Sequence, residues 1–168
     1  MGTMKNEPLI QRLRYELDRN TDWIKFADQK ISIYLAFLGV LVSLFSSKIG
    51  SWITNHQCPI DSWKIFIIIC GMLIFTSGTI YCILSLISKL KGDRKCKGLV
   101  YFGDIQKLDF SDYKQKIHLQ PQESYIDDLI EQVYTTGVIA YNKHTEFTNS
   151  VLITLTGVII IASIIIFY

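Results

Sequence analysis

Three stretches of this chain carry no charged residue: 31–47, 65–88 and 147–168, which are 17, 24 and 22 residues long. A helix needs about 20 apolar residues to cross the roughly 30 Å hydrocarbon core of a bilayer. The second and third stretches meet that length. The first meets it with help from Lys30 and Lys48, whose stems let their ammonium groups snorkel to the interface. Three such blocks in a chain of 168 residues leave too little polar surface to bury them all in a soluble core. A hydrophobic content of 49% and a mean hydropathy of +0.27 exclude a disordered chain, a collagen-like chain and a secreted disulfide scaffold. The expected fold class is an all-α membrane protein. It has three transmembrane helices and a small helical cytoplasmic region built from amphipathic helices continuous with the spans.

Basic residues set the orientation. Six lie before the first block (Lys5, Arg12, Arg14, Arg19, Lys25, Lys30), nine lie in 89–146, and only Lys48 and Lys64 lie between the first two blocks. Positive charge stays on the cytoplasmic side. The expected organisation is a cytoplasmic amphipathic helix at 1–30, a span at 31–47, an outer loop at 48–64, a span at 65–88, a cytoplasmic sensor and stalk region at 89–146, and a span at 147–168. The N-terminus is expected inside. The thirty mostly polar residues ahead of the first block make it a span rather than a cleavable signal.

Both cytoplasmic helices show a seam. Ile10, Leu13, Leu17, Asn20, Ile24, Ala27 and Ile31 alternate steps of three and four, with Asn20 as a polar member. Asn20-Thr21-Asp22 can alternatively cap a second helix starting at Trp23. Ahead of the third block, Ser124 to Asp127 reads as a capping box. Ile126, Ile130, Val133, Gly137, Ala140, His144 and Phe147 then form the second seam. The seams need partners, within one chain or between chains, and a homo-oligomer is expected. Between the helices, 98–104 is too short for a helix between its glycines and is expected to be extended. A short helix is expected to start at Ser111 and run to Leu119.

No catalytic constellation is present: no Gly-x-Ser-x-Gly, no phosphate loop and no His-Glu-x-x-His. An enzyme is not expected, nor a cofactor. No cysteine pair has zinc-site spacing, and His56, Cys58 and Asp61 read as a plain polar loop. The net charge of +2 makes no case for nucleic acid. The one suggestive cluster is basic and aromatic: Arg94, Lys95 and Lys97, then Tyr101, Phe102, Lys107 and Tyr113. Cations beside glycine backbone suit a phosphate, and aromatic rings suit a base. Basic residues just inside a membrane equally suit anionic lipid headgroups.

Trp23-Ile24-Lys25-Phe26-Ala27-Asp28-Gln29-Lys30 resembles the opening of the Pycsar transmembrane effector family, with its Ala-Asp-x-Lys pattern. Tyr101-Phe102-Gly103-Asp104-Ile105 followed by Ser111-Asp112-Tyr113 is similar to that family's central motif. Gln132-Val133-Tyr134, Ile139-Ala140 and Lys143 are similar to the helix before its last span. The wider group of two-span effectors tied to nucleotide messengers, including the SLATT class, is the near alternative. The resemblance implies a membrane effector of bacterial anti-phage defence. A partner cyclase makes a cyclic nucleotide, and the effector then compromises the inner membrane and causes abortive infection. It also carries Asp104 and Gln132 into the candidate ligand set, and marks Asp28 and Lys30 as motif positions.

Two functions from different classes follow. One is a ligand-gated membrane effector, with Ser32, Ser43, Thr76, Thr79, Ser85, Asn149 and Thr154 available to line a pathway. Serine and threonine in spans equally often bond their own helix carbonyls. The other is a structural membrane subunit that binds a partner protein through its cytoplasmic helices, without a small ligand.

Overall fold

The computed structural model of the chain describes residues 6–55, 62–87 and 98–166. Five helices follow in order: α1 (Glu7–Asn55), α2 (Ser62–Leu86), α3 (Phe102–Ile105), α4 (Phe110–Leu119) and α5 (Gln122–Ile166). Among the described residues there is no strand, and α1, α2 and α5 are each long and apolar enough to cross a membrane. The all-α, three-span architecture is therefore the observed one.

Packing divides the chain into two units: Met1–Lys25 with Lys89–Tyr141, and Phe26–Ser88 with Asn142–Tyr168. Both α1 and α5 contribute to each. In the second unit, Leu38, Phe75 and Ile161 form a buried core, with Tyr34, Leu35, Leu41, Phe45 and Val158 packed against it. Aromatic edges close two helix contacts, Tyr34 on Phe147 and Phe45 on Phe75. Small residues let α2 and α5 approach closely. A Cβ at Gly157 would lie 2.6 Å from the Phe75 backbone nitrogen, and one at Gly78 would lie 2.8 Å from that of Thr154. This is the small-residue packing expected where lipid supplies no hydrophobic drive between helices.

Polar groups in this core are satisfied locally. Ser85, Ser150 and Thr154 are buried and donate to the carbonyls of Cys82, Phe147 and Ser150. The seven polar residues considered as a pathway therefore do not share one face. Ser85 and Thr154 sit in the core, whereas Ser32, Ser43, Thr76 and Asn149 are exposed.

In the first unit, the α1 seam is as expected. Ile10, Leu13, Leu17, Asn20 and Ile24 are the less exposed positions, and α1 runs unbroken through Asn20-Thr21-Asp22. The alternative of a second helix capped there is excluded. Asn20 instead reaches across to α5, where its Nδ2 donates to the Val133 carbonyl at 2.9 Å. Thr21 bonds back to Leu17.

Four local expectations are corrected. The α5 seam runs through Ile126, Leu129, Val133, Thr136, Ala140, Lys143 and Phe147, so Ile130 is 47% exposed while Leu129 is 2% exposed. Ile126, Val133, Ala140 and Phe147 are where the sequence pattern puts them, and Gly137 and His144 are half-buried, but the pattern leaves the charged Lys143 out and takes the exposed Ile130 in place of Leu129. The 98–104 segment is not extended, because Asp104 and Ile105 donate to the Tyr101 carbonyl and close a single helical turn. Helix α4 opens one residue before Ser111, with Asp109 at the N-cap and no side-chain cap bond. Ser124 lies inside the first turn of α5, which starts at Gln122 directly after Pro121, so no capping box forms.

Candidate functional site

The candidate residues of the first unit gather on one short segment. Tyr101 and Asp104 are joined by the backbone bond that makes α3, and the Tyr101 ring lies over Gly103, 2.5 Å from where a Cβ would stand. Asp104 is buried and its Oδ1 accepts from Lys107 Nζ at 3.3 Å, while the Lys107 side chain remains largely exposed. This leaves an ammonium group available to an anion, beside a half-buried ring. Phe102 opens α3, and Tyr113 is half-buried on α4. Arg94, Lys95 and Lys97 lie outside the described residues, as do His56, Cys58 and Asp61 of the polar loop.

Sequence reasoning missed the residue that holds this segment. Asp128 on α5 accepts from the Leu99 amide at 3.1 Å and from Gln120 Nε2 at 2.7 Å. It thus ties both ends of 99–120 to one carboxylate. Gly98 is buried against the same group, where a Cβ would meet Asp128 Oδ1 at 3.0 Å. The glycine therefore serves close packing on a carboxylate rather than offering its backbone to a phosphate. Gln132, one turn further along α5, is buried. Three residues before Asp128 on α5, the Tyr125 hydroxyl accepts from Arg14 at 2.9 Å, and the Arg14 guanidinium lies 5.7 Å from that ring.

In the second unit, the motif position Asp28 has a specific partner. Its Oδ1 lies 2.5 Å from Lys143 Nζ, whose side chain is 5% exposed against 40% for Asp28. A cation as deep as Lys143 is tolerated only with an opposite charge beside it. Lys30 behaves differently: it is exposed and lies 4.2 Å over the Phe26 ring. A usable signal for the pair was present, since Asp28 and Lys143 stand three and four residues ahead of two apolar blocks. Opposite charges at matching depth on two helices that enter the membrane together are natural partners. Among the described residues no group of acidic, histidine or cysteine side chains is placed to hold a metal ion.

The fold and these sites define a helical membrane protein with three spans, whose first and last spanning helices also build a second, polar unit. The sequence profile of the Pycsar effector protein domain matches residues 12–168. The chain therefore belongs to the Pycsar effector family, membrane effectors of anti-phage defence. It is similar to the Pycsar effector protein GmPycTM of Gulbenkiania mobilis, with 28% identity over 157 residues that cover 80% of each chain. No solved structure matches it.

Proposed function

We propose that this chain is the membrane effector of a bacterial anti-phage system, activated by a cyclic nucleotide, that disrupts the inner membrane and causes abortive infection. The observation that carries the reading is the sharing of α1 and α5 between the two units. A ligand that alters the packing of these helices in one unit acts on the same helices that span the bilayer. The proposed sensor comprises Arg94, Lys95, Lys97, Tyr101, Phe102, Asp104, Lys107, Tyr113 and Gln132. Its support is the cation of Lys107 beside the Tyr101 turn, on a segment that Asp128 anchors to α5. The N-terminus lies in the cytoplasm, the chain acts as a homo-oligomer without catalysis, and lipid and nucleotide are its ligands. A nucleotide cyclase is its functional partner without direct contact, and nucleic acid is not a partner.

Calorimetric titration of the purified protein against cyclic mono- and oligonucleotides tests this. One nucleotide is expected to bind. A charge-assisted contact contributes about 1.5–3 kcal/mol, so Lys107→Ala weakens binding by about tenfold or more. Replacing Lys95 and Lys97 by Ala tests the basic stretch, and Tyr101→Ala tests stacking. Unchanged affinity in all of these variants moves the pocket elsewhere, and the Trp23 to Lys30 boundary is the next place to look. Absence of binding to every nucleotide, with a protein partner co-purifying from intact cells, favours the structural-subunit reading.

A further inference from the structure

The outward face of α5 in the second unit is not uniformly apolar. Asn142, Thr145, Asn149, Leu152, Thr156 and Ile159 are all exposed, and they alternate steps of three and four. This is the spacing of the buried seam on the same helix, turned to the outside. Thr156 bonds back to the Leu152 carbonyl, so its donor is satisfied. Asn142 and Asn149 have no such local partner among the described residues, and each presents a carboxamide outward. Asn149 lies inside the charge-free block 147–168. An amide without a hydrogen-bond partner is costly in an apolar medium, and lipid tails offer none.

We propose that this face is the contact between copies of the chain in the membrane, with Asn149 bonded to Asn149 of a second copy. The inference rests on the homo-oligomer reading above and names its surface. Copies inserted with one orientation place the same residue at the same depth. A carboxamide carries both donors and an acceptor, so it satisfies an identical group across a symmetric contact. Asn142 sits seven residues earlier, about 10.5 Å along the axis, and repeats the pairing one heptad away. Leu152 and Ile159 fill the apolar positions between the polar ones. Glu146 flanks the stripe near its polar end rather than lying on it. The exposed small-residue face of α1 (Ser32, Ala36, Gly39, Ser43) is the competing surface. It is less suited, because Ser32 and Ser43 already donate to their own helix and leave no polar group in need of a partner.

The experiment uses the full chain in native membranes. Single cysteines are placed at Leu152 and Thr156, with Ser43 and Ile69 as controls on exposed faces of α1 and α2. Disulfide dimers under a mild oxidant are compared with those of the parent chain, and photobleaching counts subunits. The expected result is dimer at positions 152 and 156, at least several-fold above Ser43 and Ile69. Asn149→Leu, which keeps the span apolar, is expected to weaken self-association about 5- to 30-fold, the range of an interhelical polar contact in a membrane. Oligomers by photobleaching with stronger cross-linking at Ser43 or Ile69 overturn this face and leave self-association standing. A single-subunit parent with no dimer at any position overturns both.

Discussion

Asp28 on α1 and Lys143 on α5 form an ion pair of 2.5 Å at the entrance to two spans, with the lysine almost wholly buried and the aspartate partly open. The pair fixes the register of the two helices. It also has unequal partners. Losing the aspartate strands a buried cation, while losing the lysine leaves an acid that water still reaches.

That inequality gives the first prediction. Asp28→Ala is expected to cost up to about 3–5 kcal/mol, the range for breaking a buried pair. Lys143→Met is expected to cost about 1 kcal/mol or less, because the remaining acid is partly hydrated. Thermal unfolding of the two variants in detergent checks the order. Equal losses would remove the asymmetry from the account.

The corrected seam on α5 separates two adjacent residues. Leu129→Asp buries a charge and is expected to unfold the unit or lower its stability by several kcal/mol. Ile130→Asp, half-exposed, is expected to stay within about 0.5–1 kcal/mol of the parent. Circular dichroism melts distinguish them, and a larger loss at Ile130 would restore the phase read from the sequence.

Asp128 holds Leu99 and Gln120 together. Asp128→Ala is expected to release residues 99–120 at a cost of about 1.5–3 kcal/mol, since hydrogen bonds to a charged acceptor are lost. Limited trypsin digestion reads this directly, as faster cleavage after Lys107, Lys114 and Lys116. Nucleotide affinity is expected to fall in the same variant.

Gly157 and Gly39 lie in different surroundings. A Cβ at Gly157 meets the Phe75 backbone, whereas one at Gly39 meets nothing within 4 Å. Gly157→Ala is expected to push α2 from α5 and cost about 1–3 kcal/mol. Gly39→Ala is expected to be neutral or mildly stabilising, because alanine is the better helix former. Melting temperatures in one detergent settle the comparison.

Topology is read by labelling intact cells with an impermeant thiol reagent. With 15 of 17 basic residues in 1–30 and 89–146, a cysteine at Ser51 is expected to react and one at Lys114 to stay protected. The reverse pattern would invert the orientation.

The sequence alone determined that this chain is helical and spans a membrane three times. Length and charge-free composition decide that, since a bilayer accepts only helices or closed barrels. It also determined the α1 seam, where apolar residues repeat cleanly from Ile10 to Ile31. The tertiary structure decided what periodicity could not. A seam that buries Lys143 reads from sequence as broken by a polar position, because burial of a cation is sensible only once Asp28 stands opposite. The anchor at Asp128 depends in the same way on a partner 29 residues away, the Leu99 amide. Hydrophobic pattern is a property of each helix by itself. Which charge or amide is satisfied depends on what the fold brings beside it, and that information lies in pairs of residues, not in any one segment.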